Sequence, residues 1–180
     1  MKLIANLFKV ALFSLVFMSF SLNSVAQKIN WLSFEDAIAK SEKNPKKIII
    51  DIYTDWCKWC KVMDNNTFSN PIIAKYINDN YYAVKFNAEG TAPVNFKGHE
   101  FTNQNRGNRS PHDLAIALLN GKMGYPSYVF MNEKHEIITV VQSYLPPEKF
   151  EPMISFIEKE LYLDGPSYED YVKNFESKLD

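Results

Sequence analysis

Cys57 and Cys60 are the only two cysteines of the chain, and they sit in the run Asp51-Ile52-Tyr53-Thr54-Asp55-Trp56-Cys57-Lys58-Trp59-Cys60-Lys61. A Cys-x-x-Cys pair that follows an apolar strand (Ile48, Ile49, Ile50, Ile52) and opens a helix is the arrangement expected of a redox dithiol. Two intervening residues let the sulfurs meet across one helical turn. At a helix N-terminus the unpaired N–H groups and the macrodipole favour negative charge, so Cys57 is expected to ionise more readily than a free cysteine. The thiolate is the nucleophile of disulfide exchange, and Lys58 and Lys61 add to the bias toward it. Cys60, one turn further in, is expected to face the core and to attack the mixed disulfide, releasing the product.

Three other uses of the pair compete with this one. A purely structural disulfide is weak, because closing so small a loop removes little entropy from the unfolded chain. A zinc site needs four ligands, so His99, His112, His135 or carboxylates would have to supply the rest. The chain has no second Cys-x-x-Cys and no His-x-x-x-His, and no metal or other cofactor is expected. A former redox site retained only for binding stays open.

The elements that must hold the dithiol can be read on either side of it. Ser33 caps a helix through Phe34, Ala37, Ile38 and Lys40 that ends at Asn44-Pro45. Lys47 to Tyr53 is apolar on both faces, as a central covered strand must be. Asp51 is its anomaly: it shares a face with Ile49 and Tyr53, so its carboxylate should be buried, its pKa raised and its proton available to Cys60. An Asp that merely caps local backbone is the alternative. The dithiol helix is expected to run to about Asn65 and to be broken by Thr67-Phe68-Ser69-Asn70-Pro71, with a second helix through Ile72, Ile73, Tyr76 and Ile77. Tyr81 to Asn87 alternates as a strand that turns Lys85 inward, either to meet Asp51 or to reach solvent.

Residues 88 to 110 shift to Gly, Asn, Pro and Arg and read as a hairpin insertion or a mobile loop. A helix from Pro111 to Leu119 stops at Asn120-Gly121. The strand Tyr128 to Met131 follows Tyr125-Pro126, and Ile137 to Val141 is its hairpin partner. Proline at the head of a core strand needs a reason. Either it is an ordinary strand-start residue, or a cis Tyr125-Pro126 bond beside the dithiol frees Tyr125 backbone groups to pair with an extended substrate. The last long helix runs from Pro147 to Leu161, and beyond Gly165-Pro166 an amphipathic tail helix is expected over Tyr168, Tyr171, Val172, Phe175 and Leu179.

The chain opens with Lys2 and Lys9, an apolar run from Val10 to Leu22 and the small-x-small site Ser24-Val25-Ala26. This reads as a signal peptide over 1–26, cleaved after Ala26, since the run is too short to span a bilayer. An uncleaved anchor is the alternative. Either way the domain is directed to the periplasm or outside the cell, where disulfides form. Without that segment the 20 basic and 21 acidic residues become 18 and 21, a formal charge of −3. No basic stripe points to nucleic acid. The remaining chain of about 150 residues suits one domain with a real core.

The order of elements is α/β with a mixed sheet, and here the sequence resembles the thioredoxin-like superfamily. Trp56-Cys57-Lys58-Trp59-Cys60-Lys61 matches its Trp-Cys-x-x-Cys-Lys motif, and Asp51 falls at its buried acid. Lys85-Phe86-Asn87 resembles its strand lysine, and Tyr125-Pro126 stands at its cis-proline. These matches occur in order over residues 29 to 161. The Thr67 to Pro71 segment looks closer to the thioredoxin-like domains of envelope disulfide-transfer proteins than to cytosolic thioredoxin. There are departures. Lys58-Trp59 replaces Gly-Pro, Asn65 replaces the kink proline, and residues 88–110 exceed what a plain thioredoxin needs.

The resemblance implies a thioredoxin fold, a central mixed β-sheet flanked by helices, with the insertion placed before the helix that precedes the cis-proline strand. It would occupy residues 27–165, with a tail helix over 166–180. The expected activity is that of an exported thiol:disulfide oxidoreductase that reduces protein disulfides through Cys57 and Cys60. Asp51 manages the proton, Trp56, Trp59, Tyr125 and Pro126 shape the peptide groove, and Lys58, Lys61 and Lys85 support the site. A disulfide oxidase or isomerase and a non-catalytic binding module are the alternatives. The expected partners are protein disulfides or dithiols and a membrane electron donor, and the protein is expected to act as a monomer.

Overall fold

The computed structural model describes residues 27–179, so the expected signal peptide and its cleavage point lie outside the described residues. In chain order come β1 (Trp31–Leu32), α1 (Phe34–Lys43), β2 (Lys47–Tyr53) and the dithiol helix α2 (Lys58–Met63), which runs into a π-helical turn, Asp64–Phe68. Then follow α3 (Pro71–Asn80), β3 (Tyr81–Asn87), a hairpin of β4 (Val94–Phe96) and β5 (His99–Phe101), and α4 (Asp113–Leu118). The chain closes with β6 (Ser127–Met131), β7 (Ile137–Gln142), α5 (Pro147–Glu158), α6 (Leu161–Asp164) and α7 (Tyr168–Lys173).

The main sheet has the strand order β1-β3-β2-β6-β7. β1, β3 and β2 are parallel, β6 runs antiparallel to β2, and β7 runs antiparallel to β6. This is the expected mixed α/β sheet, and β2 is its centre. Six of its seven residues are buried and Tyr53 is half-buried. Ile49 enters a core layer with residues of α3 and α5, while Ile48, Ile50 and Ile52 enter the opposite layer with residues of α1 and α4. Each buried isoleucine stabilises the fold by about 1.5–3 kcal/mol. The strand that feeds the dithiol is thereby fixed from both sides.

Caps set the helix starts. Ser33 Oγ accepts from the Asp36 N–H at 3.1 Å, and Asn70 Oδ1 accepts from the N–H groups of Ile72 and Ile73 ahead of Pro71. α4 begins at Asp113 rather than Pro111, because the buried His112 is its cap, with Nδ1 accepting from the Leu114 N–H.

Three further expectations are corrected. The helix after Cys60 does not break before Phe68 but widens into the π turn, which seats Phe68 against Trp31, Tyr128 and Phe150 and lets Thr67 Oγ1 donate to the Leu145 carbonyl. The last long helix ends at Glu158, and left-handed backbone at Glu160 separates it from α6. The tail helix stops at Lys173, because the buried Glu151 carboxylate takes hydrogen bonds from Ser177 Oγ and the Lys178 N–H, which straps the last residues along α5.

Residues 88–110 hold the β4–β5 hairpin and a loop. Phe96 packs edge-on against Phe34, and the Asn103 side-chain amide donates to the carbonyls of Glu89, Gly90 and Ser110. Among the described residues no helix is long and apolar enough to cross a membrane.

Candidate active site

β2 ends at Tyr53, and the chain turns so that the Thr54 carbonyl accepts from the Cys57 N–H at 3.1 Å. Cys57 caps α2, with its Sγ accepting from the Cys60 N–H at 3.0 Å. The two cysteines are disulfide-bonded, with Cα atoms 5.3 Å apart. Cys57 is 4 % exposed and Cys60 2 %, so both lie almost wholly beneath the surface. The N–H bond onto Cys57 Sγ would favour its thiolate once the disulfide opens.

Asp51 is 1 % exposed and lies in register beside Lys85 on β3. Its Oδ2 is 2.8 Å from Lys85 Nζ, and Lys85 also pairs with Asp64. The ammonium sits over the rings of Trp31, Tyr53 and Phe68, 5.1, 5.1 and 5.5 Å from their centroids. Burial pushes the Asp51 carboxyl up to about 6, against the attraction of Lys85 and with a further push from Asp64. Burial alone would lower Lys85, but Asp51 and Asp64 outweigh it and hold the ammonium above its ordinary value. Asp51 Oδ1 is buried and has no hydrogen-bond partner among the described residues. The same holds for the hydroxyl of Tyr128, which pairs across the sheet with Asp51. A buried acid with one oxygen in an ion pair and one unengaged is equipped to exchange a proton.

Two indoles form the rim. Trp56 is 47 % exposed; its Nε1 donates to Glu89 Oε1 at 2.8 Å, the Arg109 guanidinium lies 4.3 Å over the ring, and Tyr125 packs edge-on at 5.9 Å. Trp59 is 57 % exposed and stacks on Tyr144 at 5.4 Å, and the Tyr144 hydroxyl takes a hydrogen bond from Asn66. The Tyr125-Pro126 peptide is cis. Lys58 and Lys61 are exposed on α2.

Asp64, Glu89, Arg109 and Tyr144 do not stand out in the sequence. Asp64 stands four residues after Cys60, a helical neighbour, and that spacing was available as a signal. The other three lie in loops, where no periodicity announces a contact. Among the described residues no group of three or more His, Cys, Asp or Glu could hold a metal ion.

A family model, Thioredox_DsbH, described as "Protein of unknown function, DUF255", matches residues 17–163. The chain belongs to this family. In this Thioredox_DsbH member the matched residues include the dithiol, Asp51, Lys85 and the cis-proline.

One curated relative, "Uncharacterized protein B0495.5" of Caenorhabditis elegans, is 28 % identical over 129 residues. Those residues are 71 % of this chain and 16 % of that protein, so the chain spans only a small part of its length. Among solved structures, "DsbH Oxidoreductase" is similar at a TM-score of 0.51 and 16 % identity, covering 77 % of this chain and 88 % of that one. A thioredoxin from Thermus thermophilus gives 0.53 and 12 %, covering 83 % and 99 %. A putative disulphide-isomerase from Bacteroides thetaiotaomicron gives 0.51 and 22 %, covering 75 % and 96 %. At these identities the likeness establishes the fold, which is the thioredoxin fold.

Proposed function

We propose that the protein is an exported thiol:disulfide oxidoreductase that reduces disulfides of protein substrates in the periplasm or outside the cell. The observation that carries this reading is the bonded Cys57–Cys60 pair at the head of α2, with the buried Asp51 carboxyl held near 6 on the strand that feeds it. In the reduced protein the Cys57 thiolate attacks a substrate disulfide, forming a mixed disulfide and releasing one substrate thiolate, which takes up a proton. Asp51 accepts the proton of Cys60. The Cys60 thiolate then attacks Cys57 Sγ, forming the Cys57–Cys60 disulfide and releasing the second substrate thiol. Two electrons pass from the dithiol to the substrate, and the two thiol protons end on the products. A dithiol donor at the membrane must restore the reduced pair.

Trp56, Trp59, Tyr125 and Pro126 line the approach to Cys57, with Lys58 and Lys61 favouring the thiolate and Lys85 holding Asp51. The same features that favour the thiolate also stabilise the reduced form, and this supports a second reading as an oxidase. A redox titration in defined dithiol/disulfide buffers separates the two. A potential near that of thioredoxin, about −270 mV, supports reduction, and one near −120 mV transfers the reading to disulfide formation. Cys60→Ser should accumulate a covalent substrate adduct on Cys57, visible by non-reducing mass spectrometry. If wild-type Cys57 and Cys60 never cycle between dithiol and disulfide, the catalytic reading fails and a binding module replaces it.

A further inference from the structure

Beside the disulfide lies a cleft of about 390 Å3 lined by Trp59, Tyr125, Pro126, Ser143 and Tyr144. None of the five carries a charge. Three present aromatic rings, and one of them, Trp59, stands between the two cysteines in sequence. An indole more than half exposed at such a place is a large apolar surface left in water. It is also held still: Tyr144 stacks beneath it with ring planes 27° apart, and Asn66 ties the Tyr144 hydroxyl to the chain just after α2. Tyr125, on the other wall, is fixed edge-on by Trp56. Its hydroxyl stays protonated, since burial and then Glu89 push it up to about 12. Walls fixed before binding lose little entropy when a ligand arrives.

We infer that this cleft is a side-chain subsite that selects substrate cysteines flanked by an aromatic residue. The inference rests on the disulfide exchange proposed above. The occupant follows from the geometry and the chemistry. A substrate whose sulfur is joined to Cys57 brings its neighbouring side chains up to Trp59, and Tyr125 and Pro126 line the same cleft. An aromatic ring gains offset or edge contacts with Trp59, Tyr144 and Tyr125 beyond the area it buries. A carboxylate would be desolvated against uncharged walls with no cation among the lining residues. Tyr144 is a specificity residue here; it acts on the substrate's neighbour and takes no part in electron transfer.

The test is single-turnover reduction of symmetric peptide disulfides by the prereduced protein, followed by the fluorescence of Trp56 and Trp59. Phe-Cys-Phe, Ala-Cys-Ala and Asp-Cys-Asp peptides are compared in wild type, Tyr144→Ala and Tyr144→Phe. Because intrinsic thiol reactivity cancels between proteins, the readout is the Phe-to-Asp rate ratio of each protein relative to wild type. We expect that ratio to fall about tenfold in Tyr144→Ala and to return to within about twofold of wild type in Tyr144→Phe, which keeps the ring. A ratio unchanged by Tyr144→Ala overturns the subsite while exchange stands. Failure of the wild-type dithiol to reduce any of the three peptides overturns the exchange reading and the subsite with it.

Discussion

Lys47 and Asp51 leave the same face of β2 with Ile49 between them, and both are buried. Around Lys47 a cation meets two acids: its Nζ is 3.0 Å from Glu133 and 2.9 Å from Glu160, and both carboxylates keep contact with water. Around Asp51 the ratio is inverted. The acid is the innermost group, its one cation is shared with a second acid, Asp64, and one of its oxygens is unengaged. Burial lowers Lys47, but Glu160 and Glu133 outweigh it and the lysine is raised; burial raises Glu133, but Lys47 outweighs it and the acid is lowered. Those charges are locked. Asp51, by contrast, is moved toward the pH at which it titrates. The same strand face therefore holds one ionic cluster whose charges are pinned and one whose acid is raised toward neutral pH, and the count of partners decides which is which.

The largest effect should come from removing the cation at each site. Lys85→Met strands a buried carboxylate and should lower stability at pH 7 by about 3 kcal/mol, whereas Lys47→Met removes the buried charge itself and leaves two hydrated acids, at about 1 kcal/mol. Urea midpoints measure both, and equal losses would break the contrast.

A comparable effect, with a sharper signature, belongs to Asp51→Asn. Asp51 is raised in the fold from 3.8 to about 6, so its relative stability is fully present below pH 3.8 and is lost as pH rises through about 6. Asp51→Asn should therefore gain about 3 kcal/mol over wild type at pH 7 and nothing at pH 3.5. The Lys47 cluster has the opposite window. Lys47 contributes until pH climbs through its raised value above 10.5, and Glu133 until pH falls through its lowered value below 4.5, so the cost of Lys47→Met should be flat between those limits. A pH-independent Asp51→Asn difference would remove Asp51 from proton chemistry. The smallest effect is expected of Asp64→Asn, which removes a repulsion and releases Lys85 to Asp51. The Asp51 titration, followed by carboxyl NMR or by the pH limb of the exchange rate, should move to lower pH.

Much of the site could be placed from the sequence because its central residues lie in regular elements. Period two puts Asp51 on the buried face of β2 and turns Lys85 inward on β3, and the Cys-x-x-Cys spacing puts both sulfurs on one turn. Tyr125-Pro126 stands out because a proline there has no ladder role. The unread part arises where phase or contact is set by tertiary packing. Glu89 and Arg109 reach Trp56 only because Asn103 staples their loop, Tyr144 reaches Trp59 from beyond β7, and Glu151 looks like a surface residue of α5 until the tail closes on it. The tail itself carries an amphipathic pattern to Leu179, and the hydrogen bonds to Glu151 overrule it after Lys173.

The π turn at Asp64–Phe68 makes the site sensitive to chain length. A five-residue closure holds one residue more than an α-helical turn, and removing a residue rotates everything after it by about 100° relative to what precedes it. Cys57 and Cys60 lie before the turn and would keep their place at the head of α2. Phe68 lies after it, and its contacts with Trp31, Tyr128 and Phe150 would turn away from the layer they fill. A single-codon deletion at Asn65 or Asn66 would thus damage the core first and the dithiol only through it, so relatives that keep the motif but lack this extra residue must carry a differently packed interior.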